Sequence, residues 1–130
     1  MSKDRLEMLN EYIKAKISPI LLENVSSSIF ENATILEADC NISELNGHYE
    51  NIDFIPPSWY DELVKKQTKI LVINNINEIE IKEQTKFIEI LKYKKVNTFD
   101  LPKDCIIIVT ANNLKEKKIN EEVYSLMVHI

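Results

Sequence analysis

The sequence predicts an α/β protein: a three-layer sandwich whose sheet has about five strands and is mostly parallel. Two continuous apolar runs, residues 70–73 and 106–109, carry this prediction, because such runs are typical of parallel strands buried on both faces. Segments with helical spacing separate the apolar runs, which favours helices on both sides of the sheet. A chain of 130 residues predicts a single domain, 1–130, with a core of its own.

The elements follow in order from residue spacing. Leu6, Leu9 and Ile13 recur at helical spacing and predict a first helix over residues 4–16, which Pro19 ends. Further strands are predicted at 20–22, 34–38, 70–73, 106–109 and 124–130, helices at 58–64 and 81–94, and a brief extended segment at 96–101. The segment around the only glycine, Gly47, is predicted to be a loop.

Two of these helices have specific signals. Pro57 suits a first helical turn and introduces the helix at 58–64. In the helix at 81–94, Phe87, Ile90 and Leu91 share one face while Glu and Lys alternate on the other, which indicates an amphipathic helix packed on the sheet.

Composition and charge exclude several classes of protein. The chain is 45% hydrophobic and 28% charged, which is ordinary for a folded domain, and its net charge of -5 opposes a nucleic-acid-binding surface. The start of the chain lacks the apolar stretch of a signal peptide, so we expect a cytoplasmic protein without membrane contact. Cys40 and Cys105 are expected to be reduced packing residues, and His48 and His129 have no metal-ligand spacing around them.

Polar residues follow both strong strands, at the sheet edge where α/β proteins place their ligands. Asn74 and Asn75 end the first run, and Asn112 ends the second. Side chains at such positions either satisfy loop backbone groups or contact a ligand, and the former is expected here.

These stretches resemble the core of AAA+ ATPases of the MoxR type, from about residue 17 to the C-terminus. The segments that carry the resemblance are 20–31, 55–60, 70–78, 101–113 and 119–130. The resemblance implies a P-loop NTPase-like strand order of 5-1-4-3-2. We expect the α/β core without the helical lid domain of that family.

Every chemically required residue of the family's phosphate loop is replaced. In the phosphate loop Asn24, Ser27 and Ile29 stand at the glycine positions, Phe30 at the lysine and Glu31 at the hydroxyl residue. A phosphate loop needs glycines so that its N–H groups can converge on phosphate, and it needs a lysine for charge.

The strand-end positions are equally altered. Asn74 and Asn75 replace the acidic pair that holds magnesium and polarises water, and Leu126 replaces the arginine finger. Asn112 keeps the polar sensor residue of the family. We therefore expect no catalytic residues, no cofactor, no metal and weak or absent nucleotide binding.

The resulting hypothesis is a pseudo-ATPase, not an enzyme, that serves as a protein-interaction or regulatory module. Its partner would be another protein or a second copy of itself, with no nucleic acid and no membrane. One alternative is a nucleotide-binding protein with residual or partner-assisted ATPase activity that uses Thr110 and Asn112. Another is an unrelated small α/β protein whose apolar runs imitate the family, since short runs are ambiguous.

Overall fold

A central sheet with helices on both faces forms the protein, and the computed structural model describes all residues, 1–130. The helices are α1 Lys3–Lys14, α2 Ile42–Asn46, α3 Ser58–Lys65, α4 Ile88–Tyr93 and α5 Glu121–Ser125. The strands are β1 Ile20–Glu23, β2 Thr34–Glu37, β3 His48–Glu50, β4 Asp53–Ile55, β5 Ile70–Asn74, β6 Lys95–Val96, β7 Phe99–Asp100, β8 Ile106–Ala111 and β9 Val128–His129. Short 3₁₀ turns lie at Ser27–Ile29, Ile76–Glu78 and Glu83–Phe87.

The central sheet has five strands, all parallel, in the order β2-β5-β8-β1-β9. β5 and β8 pair in a register that sets Ile73 beside Val109, and every residue of β8 is buried. The predicted α/β class with a mostly parallel sheet of about five strands is confirmed. Because all five strands are parallel, their carboxyl ends meet at one edge.

The larger core lies between the sheet and helices α2 to α5. Leu63, Phe87, Ile90 and Val123 are fully or almost fully buried there, together with the inward face of β5 and β8. Trp59 is also buried, and its indole N–H donates to the Leu45 carbonyl at 3.0 Å. Cys40 and Cys105 are free and buried, as expected, and burial raises the pKa of the Cys105 thiol to about 11.

The opposite face of the sheet has a thinner cover. It consists of α1 and the crossover 24–33, which runs from β1 to β2 with only one 3₁₀ turn and no α-helix. Leu9 is the one residue of α1 that is buried, whereas Leu6, which the sequence placed on the inward face, is 45% exposed. The Arg5 guanidinium fixes α1 to the sheet edge by donating to the carbonyls of Glu23 and Ile130.

Two predicted elements differ in the structure. The helix expected at 81–94 is α-helical only in α4 and begins with a 3₁₀ turn. The buried Gln84 side chain in this turn bonds to the Ile79 carbonyl and the Asn120 N–H. The last strand, expected from Tyr124, begins at Val128, since Tyr124 lies in α5, which Asn120 caps by accepting from Glu122 and Val123.

The loop expected around Gly47 contains a short helix and a hairpin. A capping box between Asn41 and Glu44 starts α2, and Gly47, at φ 76°, ends it. β3 and β4 then pair around a turn in which Asn51 has φ 58°. The extended segment expected at 96–101 falls in a second hairpin, formed by β6 and β7.

Candidate functional site

A polar cleft lies at the carboxyl ends of β1, β5 and β8. It has a volume of about 320 Å³, and its lining consists of Asn24, Val25, Ser26, Ser27, Asn74, Asn75 and Asn112. Every one of these side chains is uncharged. The sequence-predicted positions Asn24, Ser27, Asn74, Asn75 and Asn112 therefore come together, whereas Ile29, Phe30, Glu31 and Leu126 lie outside the lining.

Asn74 and Thr110 connect the ends of β5 and β8. The Thr110 hydroxyl donates to Asn74 Oδ1 at 2.7 Å and accepts from the Asn75 backbone N–H at 2.9 Å. The Asn74 amide donates to both carboxylate oxygens of Glu37, each at 3.1 Å. Asn74 thus uses both ends of its amide within the protein, and a carboxylate at this position could not donate to Glu37.

Asn75 and Asn112 form a second bridge across the same strand ends. Asn75 adopts a left-handed backbone conformation at φ 61°, which asparagine tolerates better than most residues. Its Oδ1 accepts from the Asn112 amide at 3.0 Å. The two side-chain amides therefore bond to each other across the strand ends.

Asn77 is the member of this network that the sequence interpretation did not single out. It is 4% exposed, and its amide donates to the carbonyls of Asn112 at 2.6 Å and Lys117 at 2.9 Å. Its Oδ1 accepts from the Asn112 backbone N–H at 3.1 Å. The available signal was the run of three asparagines within four residues directly after a buried strand.

The segment at the phosphate-loop positions forms a tight polar turn. Asn24 has φ 60°, and its Oδ1 accepts from the Asn113 N–H at 3.1 Å, so this position adopts the conformation that a glycine would favour. Ser26 caps the following 3₁₀ turn by accepting from the Ser28 N–H at 3.2 Å. Neither Ser27 nor Ile29 has positive φ.

The remaining predicted positions face elsewhere. Phe30 packs against the smaller core, on the face of the sheet that α1 and the crossover 24–33 cover, and not toward the cleft. Glu31 is exposed. Leu126 packs against the larger core at the end of α5. No group of three or more His, Cys, Asp or Glu side chains is arranged to hold a metal ion.

A second cavity, of about 500 Å³, lies beside the ends of β1 and β9. The Tyr124 hydroxyl is 2.9 Å from His129 Nδ1, and His129 Nε2 is 3.8 Å from the Glu23 carboxylate. Lys115, Lys118 and Glu121 also line it, so acidic and basic groups are balanced and no class of ligand is favoured. His129 therefore lies in a polar cluster that its sequence position did not reveal.

The chain matches no protein-family model, and the comparison with curated proteins gives no match. No helix of the structure combines the length and the apolar character that crossing a membrane requires.

Proposed function

We propose that this protein is a catalytically inactive relative of AAA+ ATPases, a pseudo-ATPase that acts as a protein-interaction or regulatory module. The observation that carries the proposal is the uncharged lining of the cleft at the ends of β1, β5 and β8. An active site of this kind needs cationic groups for the triphosphate and carboxylates for magnesium. Here the lining consists of amides, hydroxyls and the apolar side chain of Val25.

The topology also supports a relationship to P-loop proteins. Numbered along the chain, the five strands of the central sheet lie in the order 5-1-4-3-2, the order that the resemblance to AAA+ ATPases implies. The cleft lies next to the segment after the first strand, where a phosphate loop would be. The proposed ancestry therefore rests on strand order and on the location of the cleft, together with the sequence resemblance.

Loss of the helix after the first strand is a further argument against nucleotide binding. A phosphate loop normally leads into a helix whose N-terminal N–H groups and dipole bind the phosphates. Here the crossover 24–33 contains only the 3₁₀ turn Ser27–Ile29. Restoring single charges to the cleft would not rebuild that anion site.

The exposed surface of the two hairpins supports the interaction role. Tyr49 is 63% and Ile52 is 92% exposed at the β3–β4 hairpin. Phe54 of this hairpin stacks on Phe99 of the β6–β7 hairpin, with ring centroids 5.3 Å apart. Clustered exposed apolar groups are typical of protein contact surfaces. As part of the same proposal, we expect a reducing compartment such as the cytoplasm, which the two free, buried thiols support.

A thermal-shift titration with MgATP tests the expectation that the protein does not bind nucleotide. Occupancy at 100 times the dissociation constant would stabilise the fold by about 2.7 kcal/mol, and we expect no shift at millimolar nucleotide. The matched variant is Ser27→Tyr, which fills the cleft. Stabilisation of the natural chain that is lost in Ser27→Tyr would support the alternative, a nucleotide-binding protein with residual or partner-assisted ATPase activity.

A further inference from the structure

The edge strand β2 is open along its outer side. In a parallel strand successive backbone groups point alternately to the two sides. The Ala38 N–H donates to the Asn74 carbonyl of β5, so Leu36 also points toward β5. The N–H and C=O of Ile35 and the N–H of Glu37 therefore point away from the sheet and face no other strand.

Two lysines mark the ends of this open edge. The Lys66 ammonium donates to the Ala33 carbonyl at 2.9 Å, and the Lys86 ammonium donates to the Cys40 carbonyl at 2.6 Å. Both cations are thus held at the ends of the segment, and between them Ile35, Glu37 and Asp39 are exposed. A partner strand of about four residues would fit this length.

A groove of about 420 Å³ follows the open edge. Its apolar part includes Ile35, which is 38% exposed, and the buried Trp59. Four carboxylates line it and no cationic side chain does; they belong to Glu37, Asp39, Glu44 and Glu62. Only Glu62 has a cationic partner, Lys66 at 2.8 Å.

We propose that this groove binds an extended basic segment of a partner protein, which adds to β2 as a sixth strand. Free backbone groups supply main-chain hydrogen bonds, and the carboxylates select Lys or Arg at alternating positions. A second copy of this chain is a poorer occupant, because it would bring the same four carboxylates to the interface. This inference rests on the proposed function as an interaction module and names its surface and the chemistry of its partner.

Amide NMR of the full chain with a model peptide tests this directly. The probe is a ten-residue peptide of alternating valine and lysine with blocked ends. We expect the amide signals of Ile35 and Glu37 to shift and their hydrogen exchange to slow severalfold. A peptide with glutamate in place of lysine, and one N-methylated at every residue so that neither edge can donate, should cause neither change.

A matched pair of double variants isolates the charge contribution. Glu37→Gln with Asp39→Asn removes two groove charges and should weaken peptide binding roughly three- to tenfold. Glu7→Gln with Glu11→Gln removes the same charge from exposed positions of α1 and should leave the affinity unchanged.

Four outcomes would overturn the inference. They are no binding at millimolar peptide, binding that leaves Ile35 and Glu37 unaffected, equal weakening by both double variants, and protection of those amides by self-association without peptide. None of these depends on nucleotide. Stabilisation by MgATP would instead refute the pseudo-ATPase proposal, so the two failures are distinguishable.

Discussion

At the scale of single residues, the asparagines at the strand ends are structural parts of this fold. Asn74 accepts from Thr110 and donates to Glu37, which makes it a link between β2, β5 and β8. An acidic residue could keep the first bond but not the second. The amide at this position is therefore coupled to the nearby Glu37, which lies on the neighbouring edge strand.

Replacing Asn74 by aspartate tests that coupling. Asn74→Asp removes the donor to Glu37 and sets two carboxylates about 3 Å apart, so we expect a loss of roughly 1–2 kcal/mol at neutral pH, measured by urea denaturation. Because the repulsion requires both carboxylates to be charged, the deficit should be smaller near pH 4 than at neutral pH. Asn10→Asp, on the exposed face of α1, should change stability by less than about 0.5 kcal/mol; an equal loss would contradict the coupling.

At the scale of elements, Asn77 holds the turn after β5 against the loop after β8. Asn77→Ala leaves two carbonyls and one N–H without their partner in a nearly buried site, and we expect a loss of about 2–4 kcal/mol. Asn112→Ala removes only the side-chain bond to Asn75 and should cost about 1 kcal/mol or less. Urea denaturation of both variants provides the comparison, and equal losses would show that Asn77 is not the main connection.

The elements also show what residue patterns can and cannot predict. Strands β5 and β8 were predictable because each run is continuous, rich in β-branched residues and followed by polar residues. The 3₁₀ turn directly before α4 was not predictable from residue patterns. It accompanies bonds from Gln84 to groups far along the chain, the Lys118 carbonyl and the Asn120 N–H. In the same way, spacing could bring Asn74, Asn75 and Asn112 to one edge but could not reveal that the amides of Asn75 and Asn112 bond to each other.

At the scale of the whole molecule, the two faces of the sheet are covered unequally. Four helices cover one face, whereas α1 and the crossover 24–33 cover the other. The helical spacing at the start of the chain indicated several inward residues; only Leu9 of this helix is fully buried, and Tyr12 and Ile13 are partly buried beside it. The thin cover follows from the short crossover, which leaves no second helix beside α1.

A pair of leucine substitutions in α1 measures how far the fold depends on this thin cover. Leu9 is 2% exposed and packs against the sheet, so Leu9→Ala should cost about 2–4 kcal/mol, a large part of the stability of a domain this size. Leu6 is 45% exposed, so the same substitution there, Leu6→Ala, should cost less than about 1 kcal/mol of stability. Thermal and urea unfolding of both variants give the difference. If Leu9→Ala were as mild as Leu6→Ala, α1 would be an appendage, and the remaining crossover would suffice to cover Ile20, Leu22 and Ile108.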